Sequence, residues 1–257
     1  MTDTTQPLAP APAKPNNLVG PAILLIWLGL GSLLLIQPSG PAVFAFVMVG
    51  WVLAVMAHEF SHAAVAYMAG DHTVAEKGYL SFDPRRYGDL GTSLIIPLLA
   101  VILGGIGFPG GAVYLRNDLM RSPAWRAAAS LAGPAATLVV FAALSMGLSV
   151  WQGAGGGGAL FDALTVIAFL QAMALILNLL PIPGLDGFNA IRPFLPLSWA
   201  PALRKFEGVA MLAMLAVIFI VPGASAALFK VSAALCRLAG LNMFALQAGW
   251  TAFHFWK

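Results

Sequence analysis

Apolar residues run along this chain in long blocks, with the polar residues gathered between them. The first block covers residues 18–36, about long enough to cross the hydrocarbon core of a bilayer, which takes ~20 residues. Gln37-Pro38-Ser39-Gly40-Pro41 makes a tight turn. Apolar residues resume over 42–70, give way to a polar stretch over 71–89, and return over 92–115. A second polar stretch covers 116–126. Residues 127–150 are wholly uncharged, 152–158 form a glycine-rich turn, and 160–180 are apolar again. Residues 181–207 are mixed, 208–222 begin another apolar segment, and 223–257 are weakly amphipathic. This pattern predicts an all-α polytopic membrane protein with about five to six transmembrane helices.

Composition agrees. Charged residues make up 9% of the 257, against about 25% in a soluble domain. That length suits one membrane domain over 18–222 and leaves little room for a soluble module. Residues 1–17 are polar and rich in proline and alanine, and they predict a disordered tail. They lack the basic start and immediate apolar run of a secretory signal. Residues 223–257 predict an amphipathic or membrane-associated segment. The net charge of +3 is no sign of nucleic acid, because the basic residues sit in short loops between apolar blocks. Cys236 is the only cysteine, so neither an intrachain disulfide nor a cysteine metal cluster can form.

The basic loops set the expected topology. Of the thirteen basic residues, three fall in each of 71–89, 116–126 and 181–207. Positive loops belong on the cytoplasmic side. A complete crossing by 92–115 would put the first two loops on opposite faces. Pro97, Gly104, Gly105, Gly107, Pro109, Gly110 and Gly111 also make that segment a poor continuous helix. A re-entrant or irregular segment is therefore expected there, packed against protein, since bare backbone cannot face lipid. The N-terminus is then cytoplasmic.

Within 42–70, Glu59 is the only acidic or basic side chain, and it lies in His58-Glu59-Phe60-Ser61-His62. A charge inside the bilayer costs roughly 2.5–3.5 kcal/mol at a helix centre, so such groups are functional by default. On a helix His58 and His62 share one face, one turn apart, where two imidazoles can grip one zinc ion with Glu59 as general base. Asn178-Leu179-Leu180-Pro181-Ile182-Pro183-Gly184-Leu185-Asp186-Gly187 follows a second apolar block directly. Its prolines cannot continue a helix and its glycines permit sharp turns. It presents one carboxylate, Asp186. Two histidines and one carboxylate leave a fourth zinc position open for water, as a catalytic site requires.

These residues resemble the site-2 protease family of intramembrane zinc metalloproteases. The likeness rests on three blocks in order: His58–His62 as HExxH, Leu131-Ala132-Gly133-Pro134 as the Ala-Gly-Pro element, and 178–187 as N-x-x-P-x-P-x-x-D-G. It spans roughly residues 42–200 and is closest to short bacterial-type members without PDZ or CBS domains. The resemblance implies a three-helix catalytic core and a single zinc ion held by His58, His62 and Asp186. It implies Glu59 as catalytic base and Asn178 as a substrate-strand contact. It also implies a membrane-anchored protein substrate cut within or near its transmembrane segment, in a bacterial plasma membrane. Thr137 departs from the asparagine that members often carry there, which puts a polar role at that position in doubt. The rival reading is a membrane metal-binding or transport protein using His58, His62 and Asp186 as a transit site. Oligomeric state is not legible.

Four other groups read as structural. His72 is expected in solvent, His254 in an interfacial aromatic belt, and Asp162 at a helix start. Lys230 and Arg237, seven apart on one helical face, are expected to reach lipid head groups.

Overall fold

The computed structural model describes residues 18–87, 98–99, 101–102 and 113–257. The expected tail over 1–17 and most of the expected re-entrant segment over 92–115 lie outside these. The described elements are helical, with no strand among them. In chain order they are α1 (Val19–Ile36), α2 (Gly40–Ala69), the short α3 (Thr73–Glu76), α4 (Pro123–Gly153), α5 (Ala159–Asn178), α6 (Asp186–Ile191), α7 (Ala200–Ile220), α8 (Ala224–Leu238) and α9 (Met243–Phe253). α1, α2, α4 and α5 are each long and apolar enough to cross a membrane. α7 and α8, bent by 90° at a short break, make a fifth span if counted together. This agrees with the fold class expected from the pattern.

Helix ends follow local chemistry. Ser39 caps α2 by accepting from the Ala42 N–H, with Pro41 in the first turn. Ser122 caps α4 in the same way through the Trp125 N–H, followed by Pro123. In each, the side-chain oxygen satisfies a donor that the helix start leaves orphaned, and proline occupies a place where no N–H is needed. Asn242 caps α9 by accepting from Phe244 and Ala245.

α5 is the hub. It is apolar on all sides, and 78% of its apolar window is buried, against 17% for α1. A helix hydrophobic all round belongs in the middle of a bundle. One flank carries Phe161, Phe169 and Met173 against Phe141 and Leu148 of α4 and Met214 and Ile218 of α7. The other carries Val166, Ile167 and Leu170 against Phe46, Val47 and Trp51 of α2. The far half of α2 packs Met56, Ala63 and Ala66 against Tyr79, Tyr87, Met120 and Ala129. α2, α4 and α5 thus converge where the polar residues of 58–62 and 178–187 lie.

Candidate active site

α2 presents His58, Glu59 and His62 within a wall of buried residues, and all three are themselves buried. The two imidazoles point the same nitrogen at each other, with Nε2 to Nε2 at 3.1 Å. The other nitrogens are held from α4. His62 Nδ1–H donates to the Ala129 carbonyl at 2.7 Å. His58 Nδ1 shares a hydrogen bond with Thr137 Oγ1 at 2.9 Å. The polar role that sequence put in doubt at Thr137 is therefore present: a hydroxyl reaches the ring from its own helix.

Asp186 comes from the other side. Its Oδ2 lies 3.1 Å from His58 Nε2 and its Oδ1 lies 3.4 Å from His62 Nε2. Two features of the chain bring it there. Gly184 turns with φ 99°, in the left-handed region that glycine enters freely. Gly187 lies flat against the Leu179 carbonyl, where a Cβ would overlap backbone. The start of α6 can therefore fold back on the end of α5, carrying Asp186 to the histidines.

α4 closes the site from above. Gly133 packs directly on the two Nε2 atoms, and a Cβ on it would collide with both rings. Gly133 of the Ala-Gly-Pro element thus packs closely, and its partners are the imidazoles.

Glu59 lies beside this group, its ligand-capable oxygen within 4.8 Å of those of His58 and His62. Its Oε2 accepts the main-chain N–H of Val113 at 3.2 Å. This contact leaves no trace in the sequence, because Val113 is a plain apolar residue more than fifty positions away. A cavity of about 570 Å³ opens in front of the cluster. Asn178, Arg126, Ser130 and Asn189 line it together with the catalytic candidates. Asn189, three residues past Asp186 on α6, could have been found from that spacing. Apart from α2, the cavity walls come from 113–130 and 178–211, which hold two of the three basic loops.

The donor set suits a divalent cation. Once its Nδ1 donates to a carbonyl, neutral His62 has a bare lone pair on Nε2. That lone pair faces another imidazole nitrogen and a carboxylate oxygen, an arrangement that repels itself without a positive charge between. Outer hydrogen bonds from Ala129 and Thr137 fix ring orientation as metal-ligating histidines require. Among the described residues this is the one such cluster.

The remaining candidates lie elsewhere. His72 is exposed and sits edge-on to Tyr67 at 4.7 Å. His254 is buried between Trp250 and Phe253 and donates from Nδ1 to the Trp250 carbonyl. Cys236 is buried in the apolar core.

Comparison with known proteins gives three relatives whose names class them as zinc metalloproteases. Rip2 of Mycolicibacterium smegmatis is 38% identical over 236 residues, covering 91% of this chain and 88% of that one. Rip2 of Mycobacterium tuberculosis is 40% identical over 223 residues, covering 86% and 85%. YwhC of Bacillus subtilis is 26% identical over 185 residues, covering 69% and 81%. No protein-family model matches the chain. No solved structure shows significant similarity to it.

Proposed function

This chain belongs to the short form of the site-2 protease family, with the zinc metalloproteases Rip2 and YwhC, and on that footing we propose that it hydrolyses peptide bonds within or near the transmembrane segments of membrane-anchored proteins. One observation carries the reading: His58 Nε2, His62 Nε2 and the Asp186 carboxylate converge within 3.4 Å, with Glu59 beside them at the head of a polar cavity.

His58, His62 and Asp186 would hold one zinc ion. When bound, zinc supplies a Lewis acid that lowers the pKa of water and polarises a carbonyl. The chain's own residues do the rest. Glu59 takes the proton of the attacking water and returns it to the leaving amine. The Val113 N–H holds one Glu59 oxygen, and Glu59 lines the cavity. The Ala129 carbonyl keeps His62 in the tautomer that offers Nε2, and the Thr137 hydroxyl holds the His58 ring at Nδ1. Asn178 and Asn189, on the cavity wall, offer amide groups to the main chain of an unwound substrate. A substrate helix hides its carbonyls in hydrogen bonds, so it must open locally before it can enter. The basic loops beside the cavity mouth favour a cytoplasmic opening in a bacterial plasma membrane.

The test is reconstitution in liposomes with a tagged single-span substrate. The wild-type protein should release a fragment and carry zinc. Glu59→Gln should keep its zinc while cleavage falls by about 10²–10⁴, the usual worth of a general base. A metal transporter would instead keep most of its flux in that variant. Undiminished cleavage by Glu59→Gln would overturn the role given to Glu59.

A further inference from the structure

On the far flank of α5, away from the proposed active site, α5, α8 and α9 enclose a groove of about 310 Å³. Its walls are aromatic. Phe169 of α5, Phe229 of α8 and Trp250 of α9 meet one another with ring centroids 5.4–5.6 Å apart. Ala233 leaves the space open at the α8 side. Lys230 and Arg237, two turns apart on the same face of α8, line the same groove and are exposed.

The charge here is one-sided. Among the described residues no acidic side chain lines the groove, and neither cation takes part in an ion pair. Elsewhere Arg85, Arg116 and Arg192 are each matched by a carboxylate, and Lys77 and Arg121 donate to main-chain carbonyls. α8 forms with α7 a bent apolar pair that makes one span if the two are counted together, which would set its cations at membrane depth or at the membrane edge. Charges placed there are costly unless paired. A basic pocket between transmembrane helices is the form in which anionic lipid head groups are held.

We propose that this groove is a binding site for one anionic phospholipid. An acyl chain lies against Phe169, Phe229 and Trp250, and the phosphate is held between Lys230 and Arg237. Charge complementarity selects the head group, and the aromatic walls select a chain rather than a soluble anion. The inference does not depend on proteolytic activity.

The test is native mass spectrometry of the purified protein in detergent with equal amounts of phosphatidylglycerol and phosphatidylcholine of matched acyl chains. The wild type should retain phosphatidylglycerol in preference, by about fivefold for each cation and roughly thirty-fold for the pair. Lys230→Gln/Arg237→Gln should erase the preference. Both side chains are exposed, so helix content by circular dichroism should not change. Ala233→Trp should fill the groove and lose the lipid with both cations intact. Millimolar inorganic phosphate should leave the lipid bound. Equal retention of the two lipids would overturn the proposal, as would a preference that survives the double variant or a lipid that survives Ala233→Trp. So would displacement by inorganic phosphate, which would make the site one for free phosphate. A dimer that closes the groove and excludes both lipids would assign it to a second copy instead.

Discussion

Thr137 Oγ1 on α4 lies 2.9 Å from Nδ1 of His58 on α2, so a hydroxyl on one core helix sets the ring orientation of a histidine on another. Thr137→Val keeps the shape and removes only the hydrogen bond. Outer partners of metal-bound histidines are typically worth 10–100-fold in metal affinity or activity. Zinc affinity, measured by chelator competition, is expected to fall by about 10–100-fold in the valine variant. Thr137→Ser should recover most of it. An unchanged affinity in Thr137→Val would remove Thr137 from the site's support.

Gly133→Ala tests the closeness of α4 to the rings. Its methyl group has no room beside the two Nε2 atoms, so either the helix shifts or the imidazoles turn away. Overpacking of this kind costs about 1–3 kcal/mol. The expected outcome is a zinc content well below one per chain by elemental analysis, with a lower thermal midpoint. Full occupancy with wild-type stability would mean that α4 is free to move off the site.

Much of this site was legible before any coordinate. His58, Glu59 and His62 announce themselves because a single helical turn links them and because charge is rare inside an apolar block. Asp186 was legible because two prolines and a glycine break the helix just before it. The supporting contacts were not. Thr137, Ala129 and Val113 act through partners on other elements, and no local pattern marks a hydroxyl, a carbonyl or an amide for such a role. The ends of α1, α2, α4 and α5 fall within four residues of the apolar blocks, because apolar length is a local property, whereas α7 starts at Ala200, eight residues before its block. The tail was harder: 223–257 reads as weakly amphipathic, yet α8 and α9 pack Phe229 and Trp250 against the central helix α5. Their burial is decided by the shape of the bundle.

Gly187→Ala addresses how Asp186 arrives. A Cβ at 187 would overlap the Leu179 carbonyl, pushing α6 away from the end of α5 and Asp186 away from both rings. The backbone has little freedom here, since Leu185 N–H is already bonded to the Ile182 carbonyl and Asn189 N–H to that of Leu185. Cleavage is expected to be lost and zinc bound more weakly, while helix content by circular dichroism stays at the wild-type level. A fully active Gly187→Ala protein would show that the turn can be built without this contact.

The loop under α2 should make stability depend on pH through Asp83. Its buried carboxylate accepts from Arg85 Nε and Nη2, the latter at 2.7 Å, and from the Arg85 main-chain N–H at 3.0 Å. The hydrogen bonds from the Arg85 guanidinium, opposed by burial, hold this acid below its ordinary value. The same loop rests on α2, with the Phe82 ring 5.6 Å from that of Phe60 and the Tyr87 hydroxyl donating to the Met56 carbonyl. A carboxyl group with a depressed folded-state pKa contributes stability that is complete above its unfolded value, about 3.9. That contribution disappears as the pH falls through the lower folded value. Asp83→Asn keeps an oxygen for the Arg85 N–H but cannot ionise. Thermal unfolding in detergent should therefore show the wild type more stable than Asp83→Asn at about pH 6, with the gap narrowing as the pH falls below about 3.9. A gap that stays constant across that range would mean the charge on Asp83 contributes nothing and that its hydrogen bonds alone hold the loop.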